Sequence, residues 1–146
     1  ANFILISPED PENHASLEFE RVAQLSRKEN VALHQKLSHK DVKNIFTKAD
    51  IFILPSYREG LPRAALEAMC SKLPVILTDV PGCRECVIHN ENGFMVQPQN
   101  AESLVEAINK FIQNPNMIKK MGLKSYQIVE EKFSNGKIFQ QYLELL

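Results

Sequence analysis

The sequence is poor in the features that mark most specialised classes. Lysine plus arginine and aspartate plus glutamate nearly cancel, 17 against 18, for a net charge of −1. No electrostatic footprint for nucleic acid or an anionic membrane surface is present. No apolar run approaches the length of a membrane span, and no basic-then-apolar leader is visible. Three cysteines, Cys70, Cys83 and Cys86, are too few and too irregularly spaced for a disulfide framework, which points to a reducing compartment. There is no G-x-G-x-x-G, so a dinucleotide fingerprint is excluded. A phospho-receiver needs an aspartate after its third strand, where this chain has Pro55 and Ser56.

What is present suits one α/β domain over residues 1–146. Apolar residues make up 44% and charged residues 24%, average for a globular protein. Short β-branched runs alternate with helical patterns, predicting a Rossmann-like, mainly parallel sheet flanked by helices. "FILI" (3–6), "VALHQ" (31–35), "IFILPS" (51–56), "PVILT" (74–78) and "GFMVQP" (93–98) read as strands. Helical spacing is found in 15–29, in 38–49 behind Ser38 as N-cap, in 61–72, in 100–114 and 115–132 with Pro115 between them, and in 136–146. "IFILPS" shows no alternation, the mark of a strand covered on both faces. The chain opens directly on a strand-like run, so it reads as a piece of a longer protein.

The most informative stretch is "PSYREGLPRAALEAM" (55–69). Loops at the carboxyl ends of parallel strands are where open sheets bind ligands, and Ser56–Pro62 is such a loop. Pro62 fits the first helical position, and Leu61 before it cannot cap. The first-turn amides of Arg63 and Ala64 are then left to meet an anion or a hydroxyl. Gly60 allows close approach to the backbone. Glu59 at the loop and Glu67 in the helix are carboxylates able to grip vicinal hydroxyls. A blander reading stands beside this one: Arg63 and Glu67, four apart, pair on a solvated face, and Glu59 caps the helix.

The run from "ADIFILPS" through "EGLPRAALEAM", "LPVILTDVPGCRE" and "NGFMVQPQN", with "EKFS" further on, resembles the C-terminal, donor-binding domain of retaining family-4 glycosyltransferases of the GT-B fold. The likeness extends from about residue 3 to 146, and many motifs in fixed order outweigh one E-x7-E. It implies a nucleotide-diphosphate sugar donor, retention at the anomeric carbon and no metal. By this resemblance Glu59 contacts the donor sugar, with the backbone of Gly60, Leu61 and Pro62 beside it. Glu67 holds the ribose hydroxyls, amides near Leu66 lie by the diphosphate, and the "QKLS" loop with Lys36 holds the base.

The family setting implied is bacterial cell-surface polysaccharide or glycoconjugate assembly, in the cytoplasm or at the inner membrane face. The acceptor, a saccharide or lipid-linked saccharide, would be bound by an N-terminal domain not in this sequence. A nucleotide-sugar epimerase of the same fold and a non-catalytic nucleotide-binding module are the alternative functions.

Two departures from the family pattern stand out. Lys36 replaces a frequent glycine. A first strand and its basic loop, which the resemblance places at the centre of the sheet, are absent before "FILI", so "FILI" and "IFILPS" are expected to pair directly, to take a neighbouring chain into the slot between them, or to belong to a trimmed chain.

Other candidates carry less. Cys83 and Cys86 form a C-x-x-C that, with Cys70 or His89, suggests zinc only weakly, because no second pair accompanies it. By resemblance Glu85 of "GCRE" is the matching residue there. His34 and His39 flank the "QKLS" loop, where a solvated or capping role suits them, and His14 reads as a loop residue; Tyr57 reads as a half-buried loop aromatic, with stacking on a ligand as the alternative.

Overall fold

The computed structural model describes residues 1–6, 24, 27–34 and 37–133. The expected helices over 15–29 and 136–146, along with His14, Gln35 and Lys36, lie outside the described residues or almost wholly so. The chain divides into two compact units, Ala1–Val42 and Lys43–Leu146.

In the first unit, β1 (Phe3–Ile6) pairs in parallel with β2 (Val31–His34), with Phe3 opposite Val31 and Ile6 opposite His34. The Phe3 amide donates to the Asn30 carbonyl, fastening the start of the ladder. Helix α1 (His39–Phe46) begins behind Ser38 as its sequence predicts. Ser38 Oγ donates to Asp41 Oδ2 at 2.5 Å, while the Asp41 amide donates back to Ser38 Oγ at 3.2 Å. The Ser38 amide also donates to Asp41 Oδ2 at 3.2 Å, so this reciprocal cap satisfies two backbone donors at the helix start. The Ser38 hydroxyl and amide together hold the Asp41 carboxyl below its ordinary pKa.

The second unit is built on a three-stranded parallel sheet in the order β3–β4–β5, formed by Phe52–Leu54, Val75–Thr78 and Gly93–Val96. "FILI" and "IFILPS" therefore belong to separate sheets, and the expected single sheet is two. Burial also departs from expectation. The most deeply covered strand is β4, whose Val75, Ile76 and Leu77 are fully buried, while β3 is only half-buried. The reason is position: β4 is paired on both sides, whereas β3 pairs with β4 alone in this sheet.

Helices cover both faces of this sheet. On one side, Val75 and Leu77 pack with Ala65, Leu66 and Met69 of α2 (Arg63–Cys70), with Cys83 of the short α3 (Pro81–Arg84), and with Ile128 and Val129 of α5 (Asn116–Phe133). On the other, Ile76, Phe94 and Val96 pack with Ala107 and Phe111 of α4 (Ala101–Gln113) and Met121 of α5. Alternation along β4 thus feeds two cores. Among the described residues no helix is long and apolar enough to cross a membrane.

Helix α2 ends in a Schellman turn. Leu73 N–H reaches Ala68 O at 3.1 Å, Lys72 N–H reaches Met69 O at 3.0 Å, and Lys72 takes φ 62°. Helix α5 lies directly on this turn at Gly122, where an added Cβ would stand 2.0 Å from the Lys72 carbonyl oxygen. Gly122→Ala is therefore expected to cost about 1–3 kcal/mol by prising the two helices apart. A denaturant midpoint unchanged from wild type would contradict this packing.

Candidate functional site

The loops leaving β3 and β4 lie at the same, carboxyl end of a parallel pair, and they touch. The first, Ser56–Pro62, ends at α2. The second, Asp79–Val80, enters α3. Thr78 Oγ1, at the end of β4, donates to the carbonyl of Ser56. Further on, Gly82 is buried beneath the first loop, whose backbone at Glu59 and Gly60 rests on its Cα face.

Helix α2 starts as the sequence predicts, without a side-chain cap, although Pro62 sits one position earlier than expected, as the N-cap residue. Its carbonyl accepts from Ala65 and Leu66, at 3.0 and 3.2 Å. The Leu66 amide is thereby engaged within the helix, and its side chain lies in the core. Among the described residues, no backbone acceptor meets the amides of Gly60, Leu61 or Ala64. These N–H groups, at the positive end of the helix dipole, give an anion or hydroxyl ligand a place to bind.

Glu59 and Glu67 are each half-buried but occupy different surroundings. The charge of Glu59 acts on α3: together with burial, the larger cause, it pushes the Cys83 thiol up. Cys86 is driven up to about 12, chiefly by burial and the neighbouring Cys83, with a smaller push from Glu59. Glu67 instead stands beside Cys70, which burial and then that carboxylate raise to about 11. Glu59 lies in the loop before α2, and Glu67 lies within the helix.

The remaining candidates are dispersed. Gly60 and Leu61 are exposed and Pro62 is buried. Lys36 lies outside the described residues. Tyr57 is exposed, His34 is half-buried on β2, and His39 is exposed in the first turn of α1. Glu85 is exposed, and its carbonyl accepts from Lys132 Nζ at 3.4 Å. Arg84 and Asp79 pair at 2.6 Å across the loop after β4.

Cys83 and Cys86 are free and buried, and no group of three His, Cys, Asp or Glu side chains placed to hold a metal occurs among the described residues. His89 is taken up structurally, its Nδ1 accepting from the Met95 amide at 3.0 Å. A shallow cleft of about 360 Å³ lies along β5 and α4, lined by His89, Gln97, Asn100, Glu106 and Lys110 among others, and shares no residue with the two loops.

Sequence reasoning missed Thr78 and Gly82. The glycine of "GCRE" is a visible signal, because a glycine after a strand often marks close backbone approach. The hydroxyl of Thr78 carries no such signal.

Residues 12–128 match the family described as glycosyl transferases group 1. An uncharacterized glycosyltransferase of Haemophilus influenzae is 34% identical over 107 residues, which are 73% of this chain and 30% of that protein. A capsular polysaccharide biosynthesis glycosyltransferase of Staphylococcus aureus is 30% identical over 117 residues, 80% of this chain and 30% of that protein. Among solved structures, the sucrose-phosphate synthase of Thermosynechococcus elongatus superposes with a TM-score of 0.78 at 25% identity, covering 98% of this chain and 39% of that one. The chain spans 30% of the length of each of the two curated relatives.

Proposed function

Since the chain belongs to the glycosyl transferases group 1 family, we propose that it binds a nucleotide-diphosphate sugar at the carboxyl ends of β3 and β4. The full-length protein would transfer that sugar, with retention, to a saccharide or lipid-linked acceptor in cell-surface polysaccharide assembly. The observation that carries this reading is the start of α2: uncapped, with amides lacking a backbone acceptor at Gly60, Leu61 and Ala64, and bracketed by Glu59 and Glu67.

On this reading Glu67 accepts from the ribose hydroxyls. Glu59 accepts from a donor-sugar hydroxyl, beside the backbone of Gly60, Leu61 and Pro62. The helix-start amides and Leu66's turn lie toward the diphosphate, and Lys36 lies toward the base. Breaking the glycosidic bond places negative charge on the departing diphosphate and positive charge on the sugar ring. Oriented N–H dipoles meet the first, and a carboxylate held near the ring meets the second, both before the reaction begins. Side-chain cations and helix ends, rather than a metal ion, neutralise the leaving group.

Titration calorimetry of the full-length protein with uridine and guanosine diphosphates is the test. One of the two is expected to bind, with affinity lost in Glu67→Ala. Absence of binding to both would overturn the donor-site reading.

A further inference from the structure

We infer that Gly82 and Thr78 are positioning residues for Glu59, and that the loop carrying this glutamate is held by packing on α3 rather than by its own hydrogen bonds. The inference rests on the donor-site reading above and adds to it the parts that fix the sugar-facing carboxylate.

From Tyr57 to Leu61 no residue takes part in a backbone–backbone hydrogen bond among the described residues. A loop of that kind keeps one conformation only if its surroundings leave it no other. Two contacts and a proline do so here. At its start, Ser56 is fastened by the buried hydroxyl of Thr78. At its end, Pro62 is buried and has a fixed φ of −72°.

In the middle the loop lies on Gly82. A Cβ added there would stand 1.6 Å from the Gly60 carbonyl oxygen, 2.4 Å from its carbon and 2.5 Å from the Glu59 carbonyl oxygen. All three are backbone atoms, so no side-chain rotation relieves the clash. Any residue larger than glycine must push the Glu59–Gly60 backbone off α3.

The same contact sets which way the loop's peptide groups face. The Gly60 oxygen lies nearer Gly82 than the Gly60 carbon does, so this carbonyl is turned onto α3. Among the described residues no peptide is cis, so the Leu61 N–H on the other end of that peptide is turned away from α3. Gly82 thus orients one of the amides offered to the donor as well as the carboxylate beside it. A displacement of about 1 Å at a reacting group can cost on the order of 100-fold in rate.

The test is a double-mutant cycle on the full-length enzyme, with kcat and donor KM read separately. Gly82→Ala is expected to lower kcat by about 30-fold or more with the donor KM changed less than about threefold. In a Glu59→Ala background the same substitution should lower kcat no more than about threefold further, because the carboxylate it positions is already gone and only the Leu61 amide is left to be misplaced. Thr78→Val removes the fastening hydroxyl at nearly constant volume and should lower kcat about fivefold. Thr78→Ser should restore it. This pair decides the matter if Gly82→Ala does not fold.

Equal losses from Gly82→Ala with and without Glu59, or equal activity of Thr78→Val and Thr78→Ser, would refute the positioning role. If Glu59→Ala itself leaves kcat unchanged, it is the donor-site reading that fails.

Discussion

In the full-length protein, Glu59→Ala is expected to lower kcat about 100-fold with little change in donor KM, while Glu67→Ala raises the donor KM about tenfold with kcat nearly intact. On the donor-site reading, the split follows from where each contact would act along the reaction. Ribose hydroxyls keep the same charge and geometry from bound substrate to transition state, so losing their partner weakens both states equally. The donor ring gains positive charge as the glycosidic bond breaks. A carboxylate fixed beside it therefore binds the transition state more tightly than the substrate. A 100-fold loss corresponds to about 2.7 kcal/mol, within reach of one well-placed charged contact.

Glu59 lies in the loop before α2 and Glu67 within the helix. The Glu59 carboxylate adds to burial in raising the Cys83 and Cys86 thiols, and the Glu67 carboxylate does the same to Cys70. Steady-state kinetics at varied donor concentration distinguishes the outcomes, and equal, small effects from both substitutions would return them to the surface of an ordinary helix. Glu59→Gln refines the test. It keeps a hydroxyl partner but removes the charge, so a kcat near that of Glu59→Ala would assign the effect to charge rather than to hydrogen bonding.

The parts of this site legible in the sequence are those governed by local chemistry. An apolar run stopping at Pro55, a leucine where a cap belongs, and a proline at the helix entrance lead to an uncapped helix start at a strand's carboxyl end, and α2 begins that way. The Ser38 cap of α1 and the break at Pro115 between α4 and α5 follow from the same local rules.

What depends on neighbours distant in sequence was not legible. The uniform apolarity of "IFILPS" suggested the best-covered strand, but coverage is decided by pairing on both sides, and that falls to β4. The family resemblance places "FILI" and "IFILPS" in one sheet, yet each pairs within its own. The glycine at position 82 signals a close approach, but nothing in the sequence says that the backbone approaching it is that of Glu59 and Gly60. Thr78 reads as the last residue of a strand until its hydroxyl is seen to reach Ser56.

The same blindness hid the residue whose replacement should most disturb stability. Asn92 is fully buried, and its side chain is saturated with partners. Its Oδ1 accepts from the Ile88 amide at 2.7 Å, and its Nδ2 donates to the Cys86 carbonyl at 3.0 Å and to Ser125 Oγ at 3.3 Å. Ser125, on α5, donates its own hydroxyl to the Asn92 carbonyl at 3.2 Å. The segment between α3 and β5 is thereby tied to a helix 33 positions away.

Asn92→Leu fills the space but strips partners from the Ile88 amide and the Cys86 carbonyl in a region water cannot easily enter. Each orphaned group costs about 1–3 kcal/mol, so a loss of about 3–4 kcal/mol is expected. Ser125→Ala removes one donor and one acceptor from a group that Asn92 can partly spare, and about 1 kcal/mol is expected. Because both changes break the same link, the double variant should be less destabilised than the sum of the two. Urea unfolding of the single and double variants measures this directly. Strict additivity would mean that Asn92 and Ser125 act on separate parts of the core, and that α5 is held to the sheet by its apolar contacts alone.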